Sequence, residues 1–234
     1  LSGAAAWHDK SQHSHQSMSW FSGNGTDWSD AIEIGDPDYW MWRATWGPSG
    51  EGAAMVYNVG YATGKAEGPQ ARLYRSADGR NYETLMDDLG VEDNPNESSM
   101  LFDQDGTCYC LLRRGAGSQS GVLGRASAPY TEWTWSDLGI RIGGPHMIRI
   151  PDGRVVAAVR LYDGRVRTSL CWVDLQAGAL TEFMELPSGG DTSYPGLYWH
   201  EDRLWVSYYS SHESQDNDFL SAIYMAQVAI PGSH

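Results

Sequence analysis

Arg113 and Arg160 are of a residue type that could bind an acidic group. Arg carries a planar fork that meets a carboxylate through two parallel hydrogen bonds. The 234-residue chain holds only 16 Lys and Arg against 30 Asp and Glu, a formal net charge of −14, so a gathering of Arg is informative. Arg113 in "YCLLRRG" and Arg160 in "AAVRLYDG" each close an alternating, apolar run of strand type. Glu97 in "NPNESSM" opens such a run 16 residues before Arg113, Tyr194 in "DTSYPGL" opens another, and Glu213 in "SSHES" follows Tyr194 by 19 residues. In antiparallel sheets the start of an inner strand and the end of the next strand lie at one edge. These five side chains would therefore face one opening. Each also has a plainer reading. Arg113 competes with its neighbour Arg114, and either can be a surface charge. Arg160 shares a strand face with Ala158 and Tyr162, Tyr194 can be a core aromatic, Glu97 can cap a turn, and Glu213 stands in a polar loop. Arg43, between Trp42 and Trp46, can line the same opening or stack structurally. Asp191 is expected to orient the loop before Tyr194.

The elements that must position these residues repeat. Short apolar runs followed by a turn and a longer alternating run start at residues 40, 98, 145 and 194, spaced by 58, 47 and 49. The turns carry Asp105-Gly106, Asp152-Gly153 and Glu201-Asp202, and Asp-Gly between alternating runs is a strong hairpin signal. Third strands follow at "ARLYRSA", "GVLGRASA", "VRTSLCWV" and "FLSAIYMAQVAI", and weaker fourth strands at "YETLM", "WTWSDLG" and "LTEFMEL". No segment shows a helical period. Four strands in a unit of roughly 40–50 residues is the arithmetic of a β-propeller blade. The sequence thus predicts one all-β domain of four-stranded antiparallel blades over residues 38–90, 92–142, 143–188 and 190–230, with residues 1–36 as strands two to four of a further blade. About five blades are present on this count. The open edge of the incomplete blade could be sealed by residues 1–7, by a preceding segment, or by a second copy. A two-sheet sandwich has similar strand lengths but does not explain the repeat, and no Gly-His…Trp-Asp signature of a WD-type propeller is present.

Composition narrows the function. Aromatics number 11 Trp and 13 Tyr but 4 Phe, and such amphipathic rings suit a sugar-binding surface. The acidic balance argues against a nucleic-acid partner, which calls for a basic face. No apolar run approaches the ~18 residues of a membrane span. No signal peptide is visible, so location is left open between bacterial cytoplasm and secretion, and the absence of an initial Met suggests a fragment or processed form. Cys108, Cys110 and Cys171 read as small buried hydrophobes. His8, His13 and His15 read as solvated, no His pair has zinc spacing, and neither metal nor cofactor is expected.

Two turns share a layout. In "WFSGNGTDWSDAI" and "LYRSADGRNYETL", Ser22 matches Ser76, Gly25 matches Gly79 and Trp28 matches Tyr82. An Asp or Asn side chain here can bond the turn's own amides while Gly supplies the unusual dihedral. This resembles a degenerate Asp-box of sialidases, with Asn24 and Asp78 shifted relative to the family pattern. Together with "WMWRATW", "IRIPDGRVVAAVRLYDG" and "LPSGGDTSYPGLYWHEDRLWVSYYSSHE", the whole chain is similar to bacterial sialidase-like, BNR-repeat propeller proteins, which are six-bladed. The resemblance implies the boxes are structural. It also implies a glycosidase for a sugar bearing a carboxylate at its anomeric carbon, where a neutral Tyr avoids the repulsion a carboxylate nucleophile would meet. On that reading Tyr194 is the nucleophile, Glu97 its base, Arg113 and Arg160 the carboxylate clamp, and Arg43, Glu213 and Asp191 further substrate contacts. The family's first Arg and its acidic Asp have no counterpart, and the chain begins too late to contain them. Arg149 in "IRIP" resembles the family's Arg-Ile-Pro text in the wrong blade and reads as structural. A propeller that binds an acidic or sialylated glycan without turnover, and one that serves only as an interaction scaffold, stay open.

Overall fold

The computed structural model describes residues 1–48, 53–214 and 220–230. Every regular element among them is a β-strand, and no helix is long and apolar enough to cross a membrane. The chain packs as two compact units: Leu1–Asn96 with Phe102–Cys108 and Arg125–Thr134, and Glu97–Leu101 with Tyr109–Gly124 and Trp135–His234.

In the first unit β1 (Ser2–Ala6), β2 (His15–Ser19) and β3 (Ile32–Ile34) form a three-stranded antiparallel sheet in chain order. A second sheet holds β4 (Tyr39–Met41), β5 (Thr45–Pro48), β6 (Ala54–Ala62), β7 (Ala71–Ser76) and β8 (Glu83–Met86). The inner strand expected as one run from residue 40 is split. Met41 faces Gly60 and Thr45 faces Tyr57, so the inner side carries one residue more than its partner. That is the count of a β-bulge, and it releases Trp42, Arg43 and Ala44 from the strand. Both matched turns fold alike. Ser22 Oγ accepts from the Asn24 and Gly25 amides and Asn24 Oδ1 from Thr26 and Asp27. Ser76 Oγ and Asp78 Oδ1 repeat this with the Asp78, Gly79, Arg80 and Asn81 amides. Tyr82 packs against Ile34, Met41 and Tyr74, whereas Trp28 is 49% exposed. His8 and His13 are exposed as expected, and His15 is half-buried. Buried Asp38, at φ 63°, accepts from His13 Nδ1 (2.9 Å), the Ser14 amide and hydroxyl, and the His15 amide.

In the second unit β9 (Pro95–Phe102), β10 (Cys108–Arg114), β11 (Ser120–Ala126), β12 (Thr134–Arg149), β13 (Val155–Leu161), β14 (Arg167–Asp174) and β15 (Ala179–Glu185) form a seven-stranded sheet in chain order. β16 (Thr192–His200), β17 (Arg203–Ser210) and β18 (Ala222–Val228) form a separate three-stranded sheet. The blade boundary expected at 142/143 falls inside one continuous strand, β12. A register shift between Gly143 and His146 marks it instead of a break. β13, "VVAAVRL", is buried on both faces, which explains its unbroken apolar text. Ala157, Val159 and Leu161 pack with Leu111, Leu123 and Ile142; Val156 and Ala158 pack with Leu170, Leu204 and Val206. Burying each large aliphatic side chain contributes roughly 1.5–3 kcal/mol. The three cysteines are buried, as expected of small hydrophobes.

Candidate active site

The second unit brings Glu97, Arg113 and Arg160 of its seven-stranded sheet together with Tyr194 of its three-stranded sheet and Asp191 just before that strand. Glu97 lies near the start of β9 and is buried; Arg113 lies at the end of β10. Arg113 Nη1 donates to both carboxylate oxygens of Glu97 at 2.7 Å. Burial works against the charged form of Arg113, but the hydrogen bond and charge of Glu97 outweigh it and raise its pKa. Alternation settles the choice between the two adjacent Arg. Arg114 turns to the other face, where it donates to Ser118, Ser120 and Asp137.

Tyr194 reaches Glu97 from β16. Its hydroxyl donates to Glu97 Oε1 at 2.8 Å, and the ring is 43% exposed. Two backbone irregularities aim it. The β16–β17 register shifts between Ser193 and Gly196, and Tyr194 takes φ 50°, a left-handed conformation rare for a bulky residue and unusual before a proline. Opposite it, the amide of Gly144 donates to Glu97 Oε2 at 2.9 Å. A Cβ on Gly144 would stand 2.3 Å from Ser193 Oγ and 2.5 Å from Tyr194 Cδ1, and its φ is 52°. Only glycine lets the strands close this far. Burial first, then the negative charge of Glu97, raises the Tyr194 pKa. The phenol therefore holds its proton at neutral pH and presents it to Glu97.

Arg160 ends β13 beside this pair, its guanidinium 5.9 Å from the Tyr194 ring centroid. Its Nε donates to the Thr192 carbonyl, Nη1 to Tyr162 Oη (3.4 Å), and Nη2 to Tyr209 Oη (2.9 Å) and Asp191 Oδ1 (3.2 Å). Tyr209 donates in turn to Asp191 Oδ1 at 2.7 Å, which with burial pushes its pKa up to about 12. The Tyr209 and Tyr194 rings are 5.6 Å apart.

Two expected residues are not among these contacts. Glu213 is exposed and faces Tyr224 of β18, whose pKa burial and then Glu213 raise. Arg43 lies in the first unit, in a cleft of about 560 Å³ that Trp20, Trp40, Trp42, Trp46 and Tyr82 also line. Its charge is disfavoured by burial, which lowers its pKa to about 10. Sequence reasoning missed Gly144, Tyr209 and Arg141, which stacks 3.9 Å over the Tyr162 ring. The Gly143-Gly144 pair ahead of an apolar run was a visible signal of close backbone approach. The other two look like ordinary strand residues. Among the described residues no group of three or more His, Cys, Asp or Glu could hold a metal ion.

No family model matches the sequence, and no curated protein matches it. Solved structures do. A Dyadobacter fermentans protein of unknown function superposes with a TM-score of 0.68 at 16% identity, over 91% of this chain and 63% of that one. A NanB sialidase from Streptococcus pneumoniae gives 0.60 at 14% identity, over 83% of this chain and 32% of that one. A GH32 beta-fructofuranosidase from Bombyx mori gives 0.59 at 14% identity, over 94% and 55%. The chain thus spans less than two thirds of each of these structures. At such identities the likeness is one of fold: an all-β fold of the β-propeller class, shared with glycoside hydrolases.

Proposed function

We propose that the second unit carries the site of a glycoside hydrolase that acts on a terminal acidic sugar of the sialic acid kind. The observation that carries this reading is the Tyr194–Glu97 hydrogen bond of 2.8 Å, with Arg113 on both oxygens of the same carboxylate. In the reaction the Tyr194 oxygen forms a bond to the anomeric carbon as the bond to the leaving oxygen breaks, the phenolic proton passes to Glu97, and the leaving oxygen takes a proton from solvent. Water then bonds to the anomeric carbon as the bond to the tyrosine oxygen breaks, Glu97 returns its proton to the phenol, and the proton released by the water passes to solvent. Arg113 and Arg160 hold the sugar's carboxylate. Glu213, in the same unit, is a further substrate contact on this reading. The sheets on residues 38–90, 92–142, 143–188 and 190–230 serve as blades, with 1–36 an incomplete one that a second copy could complete.

A second reading is a propeller that binds an acidic glycan without turnover. It is favoured by the contacts of the second carboxylate of this network: Asp191 Oδ1 accepts from both Arg160 and Tyr209, so it is engaged within the network and not turned to a leaving group.

Hydrolysis of a fluorogenic sialoside by the purified chain, with Tyr194→Phe as control, tests the two. Turnover that the variant loses supports the hydrolase. Absent turnover with a melting temperature raised by free sialic acid supports binding alone. Neither effect would overturn both readings.

A further inference from the structure

Arg160 and Asp191 are held in different ways. The guanidinium is anchored without Asp191: its Nε donates to the Thr192 carbonyl, Nη1 reaches Tyr162, and Nη2 reaches Tyr209. Only 14% of the Arg160 side chain is exposed. Asp191 is 53% exposed and touches the cation through one oxygen, Oδ1, at 3.2 Å, longer than the ~2.7–2.9 Å of a well-formed charge-assisted bond. Its backbone is pinned, because the Asp191 carbonyl accepts from the Ser211 amide at 2.9 Å. To leave Arg160 the side chain gives up this contact and the 2.7 Å hydrogen bond from Tyr209 by rotation, without moving the loop.

We propose, resting on the acidic-sugar reading of this site, that Asp191 is a built-in stand-in for the ligand's carboxylate: it occupies Arg160 in the free protein and an acidic sugar binds by displacing it. A largely buried guanidinium without a counter-charge is costly, and Asp191 supplies that charge while the site is empty. A ligand carboxylate that meets the fork with both oxygens, and accepts from the released Tyr209 hydroxyl, outcompetes Asp191. A neutral sugar offers nothing in exchange and would leave Arg160 stripped of its partner. Asp191 thus sets a threshold that selects acidic sugars over neutral ones, which is specificity by penalising the wrong ligand. It is a specificity residue and not a catalytic one.

The test is calorimetric titration of free N-acetylneuraminic acid and of its methyl ester into the wild-type chain, Asp191→Asn and Asp191→Ala, with melting temperatures as a check on folding. The proposal expects both variants to bind the acid more tightly, by roughly two- to fivefold, the range of an exposed ion pair removed as competitor. The neutral ester gains nothing, and Arg160→Ala in the Asp191→Asn background abolishes the gain. Wild-type binding of the acid with equal or weaker binding by both variants overturns the proposal alone, since Asp191 would then merely position Arg160. Failure of all forms to bind the acid overturns the acidic-sugar reading and this proposal with it.

Discussion

Tyr194 and Glu97 stand 97 positions apart in sequence, yet the phenol donates to the carboxylate at 2.8 Å while Arg113 holds the same carboxylate from another side. Glu97→Gln leaves the shape and removes the charge that Arg113 answers. Stability in urea is expected to fall by about 2–4 kcal/mol, the range for breaking a largely buried pair that keeps other hydrogen bonds. Sialoside turnover is expected to fall by about two to four orders of magnitude with the loss of the base. Unchanged turnover would remove Glu97 from the chemistry.

Gly144 is where the site tolerates least. Gly144→Ala places a methyl 2.3 Å from Ser193 Oγ and 2.5 Å from Tyr194 Cδ1 on a backbone at φ 52°. The expected cost is about 1–3 kcal/mol. Because the displaced groups include Tyr194, affinity for an acidic sugar should fall further than stability predicts. Thermal unfolding and ligand titration of one preparation separate the two effects, and a stability loss with intact affinity would contradict the arrangement.

Arg113 and Arg114 make an internal control. Arg113→Ala should abolish binding of the acidic sugar. Arg114 donates to Ser118, Ser120 and Asp137 on the opposite face, so Arg114→Ala should lower stability by about 1 kcal/mol and leave the dissociation constant unchanged. Equal loss of binding in both variants would show that the face assignment is wrong.

Asp38 gives the first unit a pH dependence. Burial raises its pKa, but hydrogen bonds from Ser14, His13 and His15 outweigh this and hold the carboxyl well below the usual carboxylate range. A depressed folded pKa stabilises the fold above the unfolded value of about 3.9, and that contribution fades as pH falls toward the folded value. The urea midpoints of wild type and Asp38→Asn, followed by Trp fluorescence, should differ by a constant amount from about pH 8 to 5 and converge below about pH 4. A gap that persists undiminished at pH 3 would exclude the carboxylate as its source.

Strand content was legible because it is local. "RLWVSYYS" alternates in text and alternates buried and exposed in β17, and a period of two needs no knowledge of the rest of the chain. The matched turns were legible for the same reason, since Ser76 and Asp78 bond amides within three residues of themselves. The break in the inner strand at Trp42–Ala44 and the continuity of β12 were not. Each depends on how many residues a neighbouring strand places opposite, which no local pattern records.

By itself the sequence determined that this is an all-β chain of repeated hairpins, and its resemblance to the sialidase-like propellers pointed to Glu97, Arg113, Arg160, Asp191 and Tyr194, together with Arg43 and Glu213. Tertiary structure alone decided that the first five meet. The meeting depends on a register shift beside Tyr194, a positive φ at that residue, and a glycine in a distant strand that admits its ring. It alone also decided that Asp191 holds Arg160 through one oxygen. Side-chain type and spacing are local properties of a chain. Which distant backbone lies close enough to complete a hydrogen bond is settled only when the sheets pack.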